Sequence, residues 1–164
     1  MATIAPTTDT PVLKNIMVKT EPEHAFRVFT EDIDSWWPRE YHIGKAPLKK
    51  MILEGKPGGR CYADQTDGTE SDWGRVLVWD PPRRLVIAWQ ITPEWGYEPD
   101  PARASEVEVR FTPQPGGSTR VDLEHRHLKR HGAGWENLRT AVESEGGWSF
   151  FLERFAARVA SISA

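Results

Sequence analysis

Cysteine is all but missing from this chain: Cys61 is the one thiol among 164 residues. It can form no intrachain disulfide and no cysteine-based zinc site, which fits a reducing compartment. No apolar run approaches the roughly 20 residues that span a bilayer. The opening MATIAPTTDTP has neither the basic stretch nor the apolar core of an export signal. The expected location is cytoplasmic, with no membrane partner. Positive charge is not in excess either: 21 Lys and Arg face 24 Asp and Glu. That balance argues against the basic face of a nucleic-acid binder. The chain also lacks a P-loop, a nucleophile elbow, a dinucleotide fingerprint, an internal repeat and a low-complexity block.

Tryptophan, by contrast, is abundant, with eight residues spread along the chain. The stretch Asp72 to Trp89, DWGRVLVWDPPRRLVIAW, reads as two strands joined at a Pro-Pro corner, with indoles where Val or Leu would be ordinary. Trp is rigid and amphipathic, and its N–H needs a partner when buried. Rings distributed through a small sheet imply a heavy core or a cavity wall.

Residues 1–11 read as a loose tail and residues 12–164 as one domain. Val12 to Lys19 suits a first strand. Thr20 is the expected cap of a helix with Pro22 just inside it, and Ala25, Phe26, Val28 and Phe29 give that helix an apolar face. Ile33, Trp36 and Trp37 continue into a short second turn that Pro38 ends. From Leu48 the pattern is β: Met51 to Leu53, Arg60 to Asp64, Ser71 to Trp79, Leu85 to Ile91, Ser105 to Thr112 and Thr119 to His127 alternate between turn signals. Thr92 to Ala104, with three prolines, reads as an irregular loop. After Gly146-Gly147 the period becomes helical, with Trp148, Phe151, Leu152, Phe155, Val159 and Ile162 on one face and Glu153, Arg154 and Arg158 toward the other. A one-sided antiparallel sheet needs a cover, and this helix is the natural one.

Three stretches carry a resemblance to a known family: GGRCYADQTDGTESDWGRVLVWDPPRRLVIAW from Gly58, SEVEVRFTPQPGGSTRVDLEHRHL from Ser105 and GGWSFFLERFA from Gly146. They resemble the domain family named after the activator of the heat-shock protein 90 ATPase, within the SRPBCC, or START and birch-pollen-allergen, superfamily. The resemblance implies an α+β helix-grip fold, a curved antiparallel sheet wrapped around a long C-terminal helix, with two short helices after the first strand. It also implies a deep cavity between sheet and helix, where many relatives hold apolar molecules and some carry out cyclase-type chemistry. Fold alone does not fix function.

The site expected from this reading is an aromatic pocket. Strand alternation places Trp89 inward with Leu85 and Ile87, while Trp73 shares a parity with Arg75, Leu77 and Trp79. Tyr62, Phe111, Leu123, Trp148 and Phe151 complete the lining, with His125 as a polar member and Arg75 as an orienting cation. A fully packed core is the competing reading. Glu124-His125-Arg126-His127, with His131 following, resembles a metal cluster. No familiar ligand spacing supports it, and His24 and His42 are remote, so neither metal nor cofactor is expected. Asp72, Arg75, Glu106 and Glu124 read as a solvated strand face. Cys61, beside Arg60, reads as a small buried hydrophobe.

The expected function is binding of a small apolar or aromatic molecule. One alternative is a cyclase- or hydrolase-like enzyme using His125 or Tyr62. Another is a co-chaperone or stress-response module that meets a protein partner through Trp95 and Tyr97. Both monomer and homodimer remain open.

Overall fold

The computed structural model describes residues 9–163. Seven strands are arranged along the chain as β1 (Val12–Val18), β2 (Leu48–Leu53), β3 (Arg60–Gln65), β4 (Glu70–Asp80), β5 (Arg84–Trp89), β6 (Ser105–Gln114) and β7 (Ser118–Arg126). Between β1 and β2 lie α1 (Pro22–Thr30) and α2 (Ile33–Trp36). After β7 come α3 (Trp135–Glu143) and α4 (Phe150–Ser163), joined by a π-type turn over Glu145–Ser149. The strands form one antiparallel sheet in the order β1-β7-β6-β5-β4-β3-β2, curled into a half-barrel with α4 against its concave face. None of the described helices is long and apolar enough to cross a membrane.

Two bulges in β4 give the sheet its local shape. Cys61 pairs with Gly74 and Tyr62 with Asp72, which leaves Trp73 as an extra residue. Val76 pairs with Ile87 and Val78 with Val86, which leaves Leu77 as another. Each extra residue resets the alternation and bends the strand. Trp73 is therefore buried while Arg75 is half-exposed and Leu77 exposed, and Trp79 turns back inward against Phe26, ring centroids 5.0 Å apart. The common parity expected for Trp73, Arg75, Leu77 and Trp79 does not hold, because simple alternation cannot anticipate a bulge.

Other local expectations also change. The N-cap of α1 is Glu21, not Thr20; the Thr20 hydroxyl instead meets His24 Nδ1 at 2.9 Å. Pro22 does occupy the first turn, where its missing N–H costs no helical hydrogen bond. Residues 1–8 of the expected tail lie outside the described residues. Asp9 accepts from the Lys129 backbone N–H, and Arg139 of α3 donates to Thr10. Ile162, expected on the apolar face of the last helix, is exposed. Arg154 and Arg158 do not simply face water: Arg154 Nε donates to the Trp36 carbonyl at 2.8 Å and Arg158 Nε to Asp32 at 2.9 Å, tying α4 to α2.

The outer face of β5, β6 and β7 is not the plainly solvated surface expected from its charges. Arg126 bridges Glu106, Glu108 and Glu124, while Arg84 holds Glu108 and Arg130 holds Glu106. Burial by itself would raise the Glu108 carboxyl, but hydrogen bonds from Arg126 and Arg84 hold it below the ordinary value. Val86 and Ala88, paired with Glu108 and Glu106 on that same face, are buried.

Between sheet and helices runs a continuous aromatic layer. Phe155 of α4 is fully buried, its ring centroid 5.2 Å from Phe29 and 5.8 Å from Trp36. Phe29 in turn touches Phe111, which touches Phe26. Edge-to-face pairs of this kind add about 0.5–1.5 kcal/mol beyond area burial. Truncating Phe155→Ala removes the ring linking α1, α2 and α4, and is expected to cost about 3–5 kcal/mol. Urea denaturation checks this, the midpoint falling with little change in slope.

Candidate binding cleft

Burying an indole requires a partner for its N–H, and most of the buried tryptophans have one. Trp36 Nε1 donates to the Val28 carbonyl at 3.0 Å, Trp37 Nε1 to the Tyr41 carbonyl at 2.6 Å and Trp73 Nε1 to Met51 Sδ at 3.0 Å. Trp148 Nε1 donates to His125 Nδ1 at 3.0 Å. Trp89 Nε1 is buried without a hydrogen-bond partner; its ring lies edge-on to Trp73, His125 and Trp148. These contacts fill the deep interior. The void left among Phe29, Trp37, Trp73, Ile87, Trp89 and Trp148 is about 10 Å³, the scale of a single water.

The open space lies beyond that void, at the mouth of the grip. A cleft of about 410 Å³ is bounded by three segments. Trp37 to Ile43, after α2, form one wall. Trp89, Ile91 and Trp95, from the end of β5 and the following hairpin, form the second. The end of α3, the π-type turn and Phe151 form the third, with Ala141, Val142, Ser144, Gly146, Gly147 and Trp148. Tyr41 stacks on Phe151 with centroids 5.4 Å apart and planes 6° from parallel. The Trp37 N–H to the Tyr41 carbonyl holds that loop in place. Gly147 is required at the joint: a Cβ there would lie 2.3 Å from the Val142 carbonyl and 2.5 Å from that of Ala141. The lining is mainly apolar, and its ionisable members, Glu40, Tyr41 and His42, share one wall. Both His42 ring nitrogens face carbonyls, Nδ1 that of Arg39 at 3.0 Å and Nε2 that of Ala46 at 2.7 Å.

Behind Trp148 runs a buried polar chain. Because His125 Nδ1 accepts the indole proton, its Nε2 carries the ring proton and donates to Ser105 Oγ at 2.7 Å. The Ser105 hydroxyl then donates to His131 Nε2 at 2.7 Å, which also accepts from the Ser105 backbone N–H at 3.3 Å. Burial lowers both imidazoles, His125 to about 3, with the neighbouring His131 adding to the effect. His131 falls to about 4, where burial outweighs the opposing Glu98 carboxylate. Both rings are neutral hydrogen-bonding spacers at neutral pH.

The residues expected at the site divide three ways. Trp89, Trp148 and Phe151 line the cleft, and Trp73 lies behind it at the small void. His125 is fully buried and meets the cleft only from behind, through its contacts with Trp89 and Trp148. Phe111 and Leu123 belong to the packed interior. Tyr62 and Arg75 lie elsewhere: Tyr62 lies under the Arg60 guanidinium at 4.0 Å, and Arg75 pairs with Asp72 at 3.8 Å. His127 does not share a face with His125, because β7 ends at Arg126 and His127 turns into left-handed backbone at φ 62. Among the described residues no group of three His, Cys, Asp or Glu is placed to hold a metal. Cys61 is buried, which pushes its thiol up, with Arg75 rather than Arg60 as the opposing cation. The wall formed by Trp37, Tyr41, Ile43 and α3 was not legible, since it comes from a non-periodic loop and a helix with only Leu138 and Val142 buried.

A curled antiparallel sheet gripping a long C-terminal helix defines a protein of the START and birch-pollen-allergen class. More narrowly, the chain belongs to the family described as Activator of Hsp90 ATPase homolog 1-like protein, which it matches over residues 19–160. Among solved structures it is similar to the anthrahydroquino-gamma-pyrone synthase Txn09, at 41% identity over 92% of this chain and 99% of that one, with a TM-score of 0.64. It is also similar to the self-sacrificing resistance protein CalC from Micromonospora echinospora, at 27% identity over 93% and 96% of the two chains, TM-score 0.66. A Nitrosomonas europaea protein at 14% identity, covering 96% of this chain and 99% of its own with a TM-score of 0.65, shares the fold. The sequence matches no curated protein.

The polar chain generates a pH prediction. Unfolded, each imidazole titrates near 6.5; folded, each binds its proton only at far lower pH. Stability from these neutral rings is complete above 6.5 and is lost progressively as pH falls toward 4 and then 3. His125→Asn keeps an acceptor for the Trp148 indole but cannot take up this proton. Its thermal midpoint is expected to lie below wild type at neutral pH, by the loss of a buried hydrogen bond worth about 1–3 kcal/mol, and to decline less steeply in acid. Parallel pH profiles for the two proteins would contradict this account.

Proposed function

We propose that the cleft binds a flat, mainly apolar molecule of fused aromatic rings. The observation that carries this reading is the cleft itself: about 410 Å³, walled by the Tyr41–Phe151 stack and the Trp37, Trp89 and Trp148 indoles. That volume falls within the roughly 300–1,000 Å³ of small-molecule sites, and ring-lined walls favour planar guests. Txn09, 41% identical, carries a name that speaks of a fused-ring aromatic product, which supports the same ligand class for this chain.

A second reading, turnover of such a molecule, is favoured by two facts. That relative is called a synthase, and Glu40, Tyr41 and His42 give the apolar cleft one ionisable wall. Acid–base work there needs one of these groups within hydrogen-bond reach of the reacting atom. His125, fully enclosed, would act only by holding Trp148, and Tyr62 is outside the cleft. The protein-partner reading draws less support: Trp95 and Tyr97 are exposed as it requires, but Trp95 also lines the cleft.

The test is titration with the dihydroxyanthraquinone alizarin, read by quenching of tryptophan fluorescence. Saturable one-to-one quenching is expected, because four of the eight indoles border the cleft. Ala141→Trp, which adds bulk from the half-buried α3 wall, is expected to abolish it while leaving the thermal midpoint nearly unchanged. Absence of saturable binding in the wild type, or unaltered binding in Ala141→Trp, rejects the reading.

A further inference from the structure

Trp95 occupies a backbone conformation that its side chain disfavours. Its φ is 65, in the left-handed region, where a bulky residue is a genuine outlier. Glycine is the usual occupant of such positions. A glycine is adjacent, yet Gly96 is not among the described glycines with positive φ. The turn does not need the indole. Its hydrogen bonds run from the Trp95 N–H to the Thr92 carbonyl at 2.9 Å, from the Gly96 N–H to Thr92 Oγ1 at 2.9 Å, and from the Thr92 N–H to the Gly96 carbonyl at 2.8 Å. All are made by backbone or by Thr92, so a glycine at position 95 retains them.

Burial does not account for the strained residue either. Trp95 remains 50% exposed, so much of the gain from removing an indole from water is forgone. What the conformation achieves is placement: Trp95 borders the same cleft as Trp89, Ile91 and the segment Trp37 to Ile43. The hairpin beneath it is anchored by the Ile91–Tyr97 bridge and by Pro93, which approaches Gly134 at the start of α3 so closely that a Cβ there would lie 3.0 Å away. Unfavourable backbone that persists at a cleft rim, with no local stabilising return, is characteristic of functional positions.

We propose that Trp95 is a ligand-contacting clamp, held in left-handed backbone so that its indole covers a flat aromatic guest once the cleft is filled. The proposal rests on the cleft reading above. It specifies a planar, ring-bearing ligand, because a flat face recovers the most contact with an indole that is otherwise half in water.

Two substitutions separate the role of the ring from that of the backbone. Trp95→Ala removes the indole and keeps a Cβ in the left-handed region; Trp95→Gly removes both. Alizarin affinity by fluorescence titration is expected to fall about tenfold in each, the loss of one well-placed aromatic contact. Without ligand, Trp95→Gly is expected to melt about 2–4 °C above Trp95→Ala and no lower than wild type. If wild type binds alizarin and both variants bind as well as it does, the clamp is overturned while the cleft reading stands. If Trp95→Gly melts below Trp95→Ala, the claim of strain is overturned. If wild type fails to bind, the cleft reading falls first and the clamp with it; the melting comparison then still decides the backbone claim.

Discussion

The hydrogen bond from the Trp148 indole to His125 is the contact on which the arrangement around the cleft depends. It joins the turn before α4 to the C-terminal end of β7, and so fixes where the long helix begins relative to the sheet. Its worth comes from its surroundings. Both partners are buried, and the far side of the imidazole is satisfied by Ser105 and then His131. Removing one member leaves several groups unpaired in a poorly solvated place, so the four side chains behave as one unit. Trp148 is thereby held upright as a partition, with one face toward the cleft and the other toward the packed interior.

The rest of the molecule is arranged about that partition. The bulges at Trp73 and Leu77 bend β4 enough to bring indoles under the helix layer, and rings from α1, α2 and α4 fill the concavity. The grip is thus solid through most of its depth and open at one end. On the convex side the carboxylates and guanidinia of β5, β6 and β7 screen a second, thinner apolar layer. Isolated exposed ion pairs contribute little to stability; here the more consequential effect is that Val86 and Ala88 are kept from water.

The strands were legible in the sequence because alternation and glycine-bearing turns are local signals, and they place Leu85, Ile87 and Trp89 inward as the structure has them. The last helix was legible from the spacing of Trp148, Phe151, Leu152 and Phe155. α3 was not, because most of its residues are polar and only Leu138 and Val142 are buried, with Trp135 half-buried against the core. The orientations of Trp73 and Trp79 required knowledge of two bulges, which depend on pairing with distant strands. The cleft was half legible: Trp89 and Phe151 stand on periodic elements and Trp148 continues the spacing of α4 into the turn before it, whereas Trp37, Tyr41 and Trp95 come from loops brought together only by the fold. His131 left no signal, since its meeting with Ser105 spans 26 positions and depends on a short turn after β7.

Trp37, Trp89 and Trp148 border both the outer cleft and the small inner void. The wall between the two spaces is therefore one aromatic side chain thick. Of the three, Trp89 alone holds no other group by its N–H, so a smaller side chain at that position would join the void to the cleft and deepen it, while the bonds of Trp37 and Trp148 that fix the loop and the helix start stay in place.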